Sequence, residues 1–203
     1  MSIYSLKPKF QQLLHPMLSG LVRWGVTPNQ VTLLATGLSL AYGAALALWP
    51  GCGGLWLGLP FFLFLRMALN AIDGMLANAT GQKTALGALL NEIGDQCSDL
   101  ALGLPFALAP TISAPLLAGV VIGALLAEFA GVLALQVGSP RRFDGPMGKS
   151  DRACAFGILA LMVWGGVAPP WPDAVLLLVL ALSLWTVFNR LRRALRFSAP
   201  PTP

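Results

Sequence analysis

Hydrophobic residues are concentrated in six long runs, which short polar or turn-forming segments separate. A membrane-spanning helix requires about 20 mostly apolar residues, and the runs approach or exceed that length. The pattern therefore predicts an all-α, polytopic integral membrane protein with six transmembrane helices. The predicted spans are Val31–Trp49, Gly54–Ala77, Thr84–Ala109, Pro115–Val137, Arg152–Ala168 and Ala174–Asn189.

A second pattern precedes the first run. Seven apolar residues follow one another at alternating steps of three and one, so they share one face of a helix. Lys9, Gln11, Gln12 and His15 lie on its other faces, which predicts a cationic amphipathic helix in the cytoplasmic membrane interface. A soluble helix packed on a partner is the alternative. The apolar face consists of Phe10, Leu13, Leu14, Met17, Leu18, Leu21 and Val22.

Composition excludes two other classes of protein. Of the 203 residues, 56% are hydrophobic and 10% are charged, and the mean hydropathy is +0.73. A soluble domain carries about a quarter charged residues, and a disordered chain has low hydrophobicity, so neither class fits. The three cysteines form no Cys-x-x-Cys pair, so we expect no disulfide framework. We also expect no cleavable signal peptide, because no short apolar core precedes the first span.

The basic residues orient the predicted helices. Three of the five connectors between spans hold no Lys or Arg, whereas the other two hold Lys83 and, in the longer one, Arg141, Arg142 and Lys149. Cytoplasmic loops carry the excess of basic residues, so six spans with both termini in the cytoplasm satisfy the pattern. We divide the chain into an amphipathic helix at 1–25, a six-helix membrane domain at 26–197 and a tail at 198–203.

Ionisable residues inside the spans are the candidates for function, since burying them in a membrane is unfavourable. On the third span, Gly87, Asn91, Asp95 and Asp99 follow at four-residue steps and form one stripe. We expect Asn70 and Asn91 to reach a similar depth on neighbouring helices, in an acidic pocket open to the cytoplasm. We expect the single basic residue of the second span to pair with this cluster. The ionisable residues within spans are Arg66, Asp73, Glu92, Asp95, Asp99 and Glu128.

Clustered carboxylates repel one another unless cations neutralise them. Oxygen ligands suit Mg²⁺, Mn²⁺ or Ca²⁺, and such hard cations commonly partner phosphate groups. This chemistry predicts a phosphate-bearing substrate that enters from the cytoplasm. Two alternatives remain open at this point, a polar network that only fixes helix packing and a proton or ion relay.

The second and third spans resemble a known signature. Asp73-Gly74-Met75-Leu76-Ala77-Asn78, with Gly87, Asn91 and Asp95, resembles the CDP-alcohol phosphotransferase family, whose pattern is D-x-x-D-G-x-x-A-R, eight or nine residues, then G-x-x-x-D-x-x-x-D. The segment Gly25–Thr32 is similar to the start of the family's first span. Asn70 and Asn91 replace the first and third acids, as in an uncharacterised bacterial branch of the family, and Asn78 replaces the arginine.

The resemblance implies a phospholipid-synthesising enzyme of the bacterial inner membrane. It would move a phosphatidyl group from CDP-diacylglycerol to an acceptor alcohol, for which a phosphorylated alcohol is one candidate, and release CMP. A homodimer with Mg²⁺ or Mn²⁺ is implied, and no nucleic acid. A catalytically silent member that binds nucleotide-lipid or scaffolds a complex is the alternative, and an ion or proton carrier is a third.

The resemblance also implies roles for individual residues. Asp95 and Asp73 are the candidate catalytic residues, with Asp95 as the base. Glu92 and Asp99 are candidate auxiliary acids. The candidate metal ligands are Asp73, Asn70, Asn91 and Asp95; the candidate nucleotide-binding residues are Asp73, Gly74, Ala77 and Gly87; and the candidate acceptor-binding residues are Lys149, Arg152, Arg141 and Arg142.

Overall fold

A computed structural model describes the backbone of residues 7–198 and the side chains of residues 11–197. Seven α-helices and two short 3-10 helices, at Leu104–Leu108 and Ala134–Val137, make up the regular structure of this range, which confirms the all-α prediction. The helices are α1 (Lys7–Arg23), α2 (Pro28–Leu48), α3 (Gly53–Thr80), α4 (Ala85–Gly103), α5 (Ala114–Leu133), α6 (Lys149–Trp164) and α7 (Trp171–Ser198).

Four segments within the described range are long and apolar enough to cross a membrane, namely α2, α3, α5 with its following 3-10 helix, and α7. The other two predicted spans fall short for different reasons. α4 carries Glu92, Asp95 and Asp99 within 19 residues, and α6 is only 16 residues long. Length and composition alone therefore support four spans, and the prediction of six requires both the charged α4 and the short α6 to cross the membrane.

The outer surface of the helix bundle is apolar. Phe61 of α3, Ile122 of α5 and Leu178 of α7 are each more than half exposed. A soluble monomer rarely exposes so large a continuous apolar surface, whereas a membrane protein presents one to lipid. The chain is therefore a multi-pass membrane protein.

Only part of the apolar face of α1 is buried. Leu14 and Leu18 pack against Ile72 of α3, while Leu13 and Met17 remain 72% and 57% exposed. The helix thus docks on the bundle with one edge and leaves the other edge available to the membrane interface. The Phe10 side chain lies outside the described residues, as do residues 1–6 and most of the tail at 198–203. The domain boundaries remain predictions.

α2 separates α3 from α4 and packs on both. A capping box fixes its first turn, in which Gln30 N–H donates to Thr27 Oγ1 and Thr27 N–H donates to Gln30 Oε1. Gly43 lets α2 approach α4 closely, because a Cβ there would lie 2.2 Å from the carbonyl oxygen of Ala101. The polar faces of α3 and α4 consequently meet across a cleft instead of packing backbone to backbone.

Replacing Gly43 with alanine should destabilise the bundle. The added Cβ would overlap a backbone atom that cannot move aside, and overpacking of this kind destabilises by about 1–3 kcal/mol or more. Gly37→Ala on the same helix is the matched control, since nothing lies within 4 Å of its Cβ position. Thermal unfolding in detergent should show a lower midpoint for Gly43→Ala alone, and equal midpoints for the two variants would contradict this account of the α2–α4 contact.

Candidate functional site

Hydrogen bonds connect α3 and α4 across the cleft as three rungs. Residue numbers rise along α3 as they fall along α4, as expected for antiparallel helices joined by a short loop. The rungs are Arg66 Nη1 to Asp99 Oδ1 at 2.5 Å, Asn70 Nδ2 to Asp95 Oδ1 at 2.6 Å, and Asn91 Nδ2 to Asp73 Oδ2 at 2.9 Å. The predicted pairing of Arg66 with the acidic cluster is confirmed.

The register of these rungs differs from the sequence-based expectation. Asn70 lies opposite Asp95, one helical turn from the predicted neighbour Asn91. The reason is the length of α3, which continues to Thr80 and ends at Gly81 with a left-handed φ of 68°. The turn is therefore centred about two residues later than predicted, and each α3 residue meets an α4 residue about four positions further along.

Asp73 is buried and oriented from two sides. Only 5% of the residue is exposed, and its Oδ2 accepts hydrogen bonds from Thr32 Oγ1 at 2.8 Å and from Asn91 Nδ2 at 2.9 Å. No Lys or Arg within residues 11–197 forms an ion pair with it. Its orientation thus comes from neutral donors, and its negative charge has no cationic partner in this range.

Asp95 has the opposite environment. Its Oδ1 accepts from Asn70 at 2.6 Å and from Arg66 Nη2 at 3.4 Å, and its Oδ2 accepts from the Lys149 ammonium group. The residue is 7% exposed, so these bonds are shielded from water. Both carboxylate oxygens are engaged by N–H donors, and two of the three donor groups are cations.

The ion pairs extend from Asp95 into an array that we call the charge network. The ion pairs join four acids and five bases, and we count Asp73, which lies beside them without an ion pair among the described side chains, as the fifth acid, so that the formal charges of the network cancel. Helices α3 to α7 and the loop before α6 all contribute members. Beyond Asp95, the pairs are Arg66–Asp99 at 2.5 Å, Arg152–Asp99 at 3.2 Å, Arg152–Glu128 at 3.0 Å, Arg190–Glu128 at 3.3 Å, Arg141–Glu128 at 3.5 Å and Arg141–Glu92 at 2.5 Å.

Sequence reasoning missed three residues of this region. Thr32 gave no signal except its place in the segment that resembles the start of the family's first span. Arg190 was assigned to the basic tail, yet it is 2% exposed and donates to the backbone oxygens of Ala127 and Asp144. Asp144, the one acid between Arg141 and Lys149, also accepts from Arg142 at 2.8 Å and could have been noticed for that position.

The four candidate acceptor-binding residues all have acidic partners. Lys149, Arg152 and Arg141 belong to the charge network, whereas Arg142 pairs with Asp144. Arg152 is the most enclosed of the four at 4% exposure. Their roles stay predictions, and each would have to release or share its present partner to bind an acceptor.

The candidate nucleotide-binding residues lie in the last turns of α3 and the first turn of α4, on either side of the α3–α4 loop. Gly74 is exposed, while Ala77 and Gly87 are half-buried. A Cβ at Gly87 would lie 2.8 Å from Asn29 Oδ1, so the glycine lets the start of α4 approach the start of α2. Cytidine binding by these residues stays a prediction.

A partly open cavity lies beside the charge network, between α3, α4, α5 and α6. One end is polar and is formed by Arg66, Asp99, Lys149 and Arg152. The remaining wall is apolar, with Leu59, Leu63, Leu100, Leu102, Val121, Leu125 and Phe156. A cavity with one charged end and an apolar wall suits a ligand that carries both a charged group and hydrocarbon.

The two remaining motif acids differ in their fitness for a divalent cation. Among the described side chains Asp73 has no cationic partner, and the amides of Asn70 and Asn91 still present carbonyl oxygens, which are hard ligands. Asp95 fits less well, because N–H donors engage both of its oxygens. No group of three or more His, Cys, Asp or Glu residues gathers around a common point within the described part of the chain, at Asp73 or elsewhere. A cation held by Asp73 therefore stays a prediction.

Removing the charge of Glu128 should destabilise the fold. Three arginines converge on this 3%-exposed carboxylate, and breaking a buried pair from one side costs about 3–5 kcal/mol because it leaves uncompensated charge. Glu128→Gln should therefore unfold at a markedly lower denaturant concentration in detergent micelles. Glu92→Gln is the control, since its single pair is partly exposed and worth about 1 kcal/mol or less. An equal loss of stability in Glu128→Gln and Glu92→Gln would contradict the stronger role assigned to Glu128.

Comparisons with known proteins find relatives that align over most of the chain. The chain is 46% identical over 202 residues to inner membrane protein YnbA of Escherichia coli K12, an alignment that covers 98% of this chain and 99% of that protein. It is 30% identical over 187 residues to the phosphatidylinositol phosphate synthase of Mycobacteroides abscessus, covering 90% of this chain and 83% of that protein. No family model matches.

Solved structures share the fold. The phosphatidylinositol phosphate synthase of Mycobacterium tuberculosis with CDP-DAG bound superposes with a TM-score of 0.75 at 22% identity, over 95% of this chain and 99% of that one. The same enzyme in complex with manganese and citrate gives 0.73 at 22% identity, over 93% and 92%.

Proposed function

Because the chain belongs to the CDP-alcohol phosphotransferase family, we propose that it transfers a substituted phosphate group from a CDP-alcohol to an acceptor hydroxyl and releases CMP. CDP-diacylglycerol is the proposed donor, which makes phospholipid synthesis the proposed process. The observation that carries this proposal is Asp73, a buried carboxylate that Thr32 and Asn91 orient and that has no cationic partner among residues 11–197. The neighbouring cavity, with one charged end and an apolar wall, suits such a lipid.

Asp73 would hold a Mg²⁺ or Mn²⁺ ion together with the amide oxygens of Asn70 and Asn91. Such an ion, when bound, neutralises charge on the pyrophosphate of the donor. Thr32 fixes the rotamer of Asp73 through its 2.8 Å hydrogen bond. Since Asn70 and Asn91 are neutral, Asp73 supplies the negative charge of this half of the site.

The acceptor hydroxyl would attack the β-phosphorus, forming a new P–O bond while the bond from that phosphorus to the bridging oxygen breaks. CMP leaves with the bridging oxygen. Asp95 would accept the hydroxyl proton at Oδ2, which requires Lys149 to release that oxygen. Lys149 and Arg152 are then placed to contact a phosphate on the acceptor. Glu92 and Asp99 act through their arginine partners.

Six membrane spans with both termini in the cytoplasm are part of the proposal, in the bacterial inner membrane and as a homodimer. The three charged residues of α4 contact arginines or Lys149, so they do not face lipid. The opposite face of α4 exposes Leu86, Leu89 and Ile93, which suit a hydrocarbon environment. These contacts support counting α4 as a span despite its composition.

A native cysteine tests this topology. Cys52 is exposed in the connector between α2 and α3, which the proposal places outside the cytoplasm. With Cys97 and Cys154 replaced by serine, a membrane-impermeant maleimide should label Cys52 in spheroplasts without lysis. In a matched variant that lacks Cys52 and carries Lys83→Cys, labelling should require lysis. The reverse pattern would overturn the proposed orientation.

The catalytic proposal is tested by CMP release from purified protein given CDP-diacylglycerol, Mg²⁺ or Mn²⁺ and a panel of acceptor alcohols. Asp73→Asn should reduce the rate by at least about a hundredfold, because it removes the charge that holds the cation. Asp95→Asn should lower it by about 10²–10⁴-fold as the loss of a general base. Asp173→Asn is the control, since this acid lies at the opposite end of the bundle, where it accepts a hydrogen bond from the Ser113 N–H.

A catalytically silent member is the second candidate, and a specific observation favours it. Both carboxylate oxygens of Asp95 accept hydrogen bonds, from Asn70 and Arg66 on one oxygen and from Lys149 on the other. This arrangement is typical of a structural ion pair. CDP-diacylglycerol binding without CMP release for any acceptor would select this candidate. Release that is undiminished in Asp95→Asn would eliminate Asp95 as the base.

A further inference from the structure

We propose that Lys149 supplies from within the chain the positive charge that Asp95 requires, in place of a divalent cation, so that the site binds one such cation, at Asp73. This inference deepens the proposed function and rests on the cation proposed there. It makes the Lys149 ammonium a competitor of divalent cations for Asp95. It also assigns different charge partners to the two acids that remain in the motif.

The hydrogen bonds around Asp95 carry the argument. Lys149 engages Oδ2, and Asn70 and Arg66 engage Oδ1, so N–H groups contact both oxygens of this carboxylate. A divalent cation at Asp95 would have to displace these groups and would lie beside two positive charges. Coulomb repulsion between such neighbours is strong where burial excludes water, and Asp95 is 7% exposed.

Of the two cationic side chains that contact Asp95, Lys149 is the one that a divalent cation could displace. Its side chain is 31% exposed and forms its ion pair with Asp95, whereas the Arg66 side chain is 9% exposed and pairs with both Asp95 and Asp99. Lys149 is the first residue of α6, and a hydrogen bond from Gly148 N–H to Asp151 Oδ2 at 3.0 Å fixes that helix start. The backbone therefore positions Lys149 while its flexible stem leaves the ammonium group free to move.

The amide at position 70 agrees with this assignment. Asn70 donates an N–H to Asp95 at 2.6 Å, where an ionised carboxylate would instead add repulsion. With Lys149 and Arg66 already neutralising Asp95, a neutral side chain at this position keeps the local charge balanced. The substitution Asn70→Asp should therefore strengthen metal binding markedly only in a protein whose Lys149 is replaced by an uncharged residue.

The test measures binding of Mn²⁺ to full-length protein in lipid nanodiscs, using the electron paramagnetic resonance signal of free Mn²⁺. Lys149→Met keeps the apolar stem and removes the charge, and it should strengthen Mn²⁺ binding by about tenfold. Lys149→Arg retains the charge and should stay within about twofold of the wild type. Lys83→Met, which removes an exposed loop charge, is the matched control and should also leave the affinity unchanged.

A double-mutant cycle sharpens the result. Asn70→Asp should raise the Mn²⁺ affinity more in the Lys149→Met protein than in the wild type, because coupled neighbours are not additive. Size-exclusion profiles verify folding, and Lys149→Gln replaces Lys149→Met if that variant aggregates. Mn²⁺ binding whose affinity is unchanged or weaker without the lysine charge overturns this inference and leaves the cation at Asp73 standing. No Mn²⁺ binding by any variant overturns both this inference and the cation of the proposed function.

Discussion

Charged side chains within membrane-spanning helices need partners of opposite charge, since hydrocarbon does not solvate them. This constraint organises the bundle. Four carboxylates of the charge network draw their partners from other helices or from the loop before α6. Helices α3 to α7 are thus connected near the cleft, and the groups that connect them are the same groups that line the candidate site. Stability and site chemistry depend on one set of contacts.

The network also explains how the site tolerates amides at two motif acids. Lys149 and Arg66 compensate the charge of Asp95. The amide nitrogens of Asn70 and Asn91 donate hydrogen bonds to Asp95 and Asp73, respectively. Asp73 alone among the network acids lacks a cationic partner within the described side chains. The proposed cation therefore has one acid to bind, and the second acid is matched to a cation that the protein itself provides.

The sequence predicted the helices better than it predicted their register. Span boundaries lay within a few residues of the observed helices over most of the chain, although α7 continues to Ser198, beyond the predicted end at Asn189. The extension of α3 to Thr80 was enough to move Asn70 from Asn91 to Asp95, since each residue added to a turn shifts every pair across it. Hydropathy assigned Arg190 to the cytoplasmic tail. Burial depends on neighbouring residues, however, and the ion pair with Glu128 places this arginine inside the bundle.

Apolar periodicity and the sites of basic residues were sufficient to determine an all-α membrane protein and its candidate polar residues, and the motif at Asp73–Asn78 with Gly87, Asn91 and Asp95 carried the family resemblance. These properties depend on local sequence, so no tertiary contact is needed to infer them. Only the tertiary structure decided which acid meets which base, that Thr32 orients Asp73, and that Lys149 contacts Asp95 across 54 residues. Such pairs depend on helix register and on the close approach at Gly43, and both arise only when the helices pack.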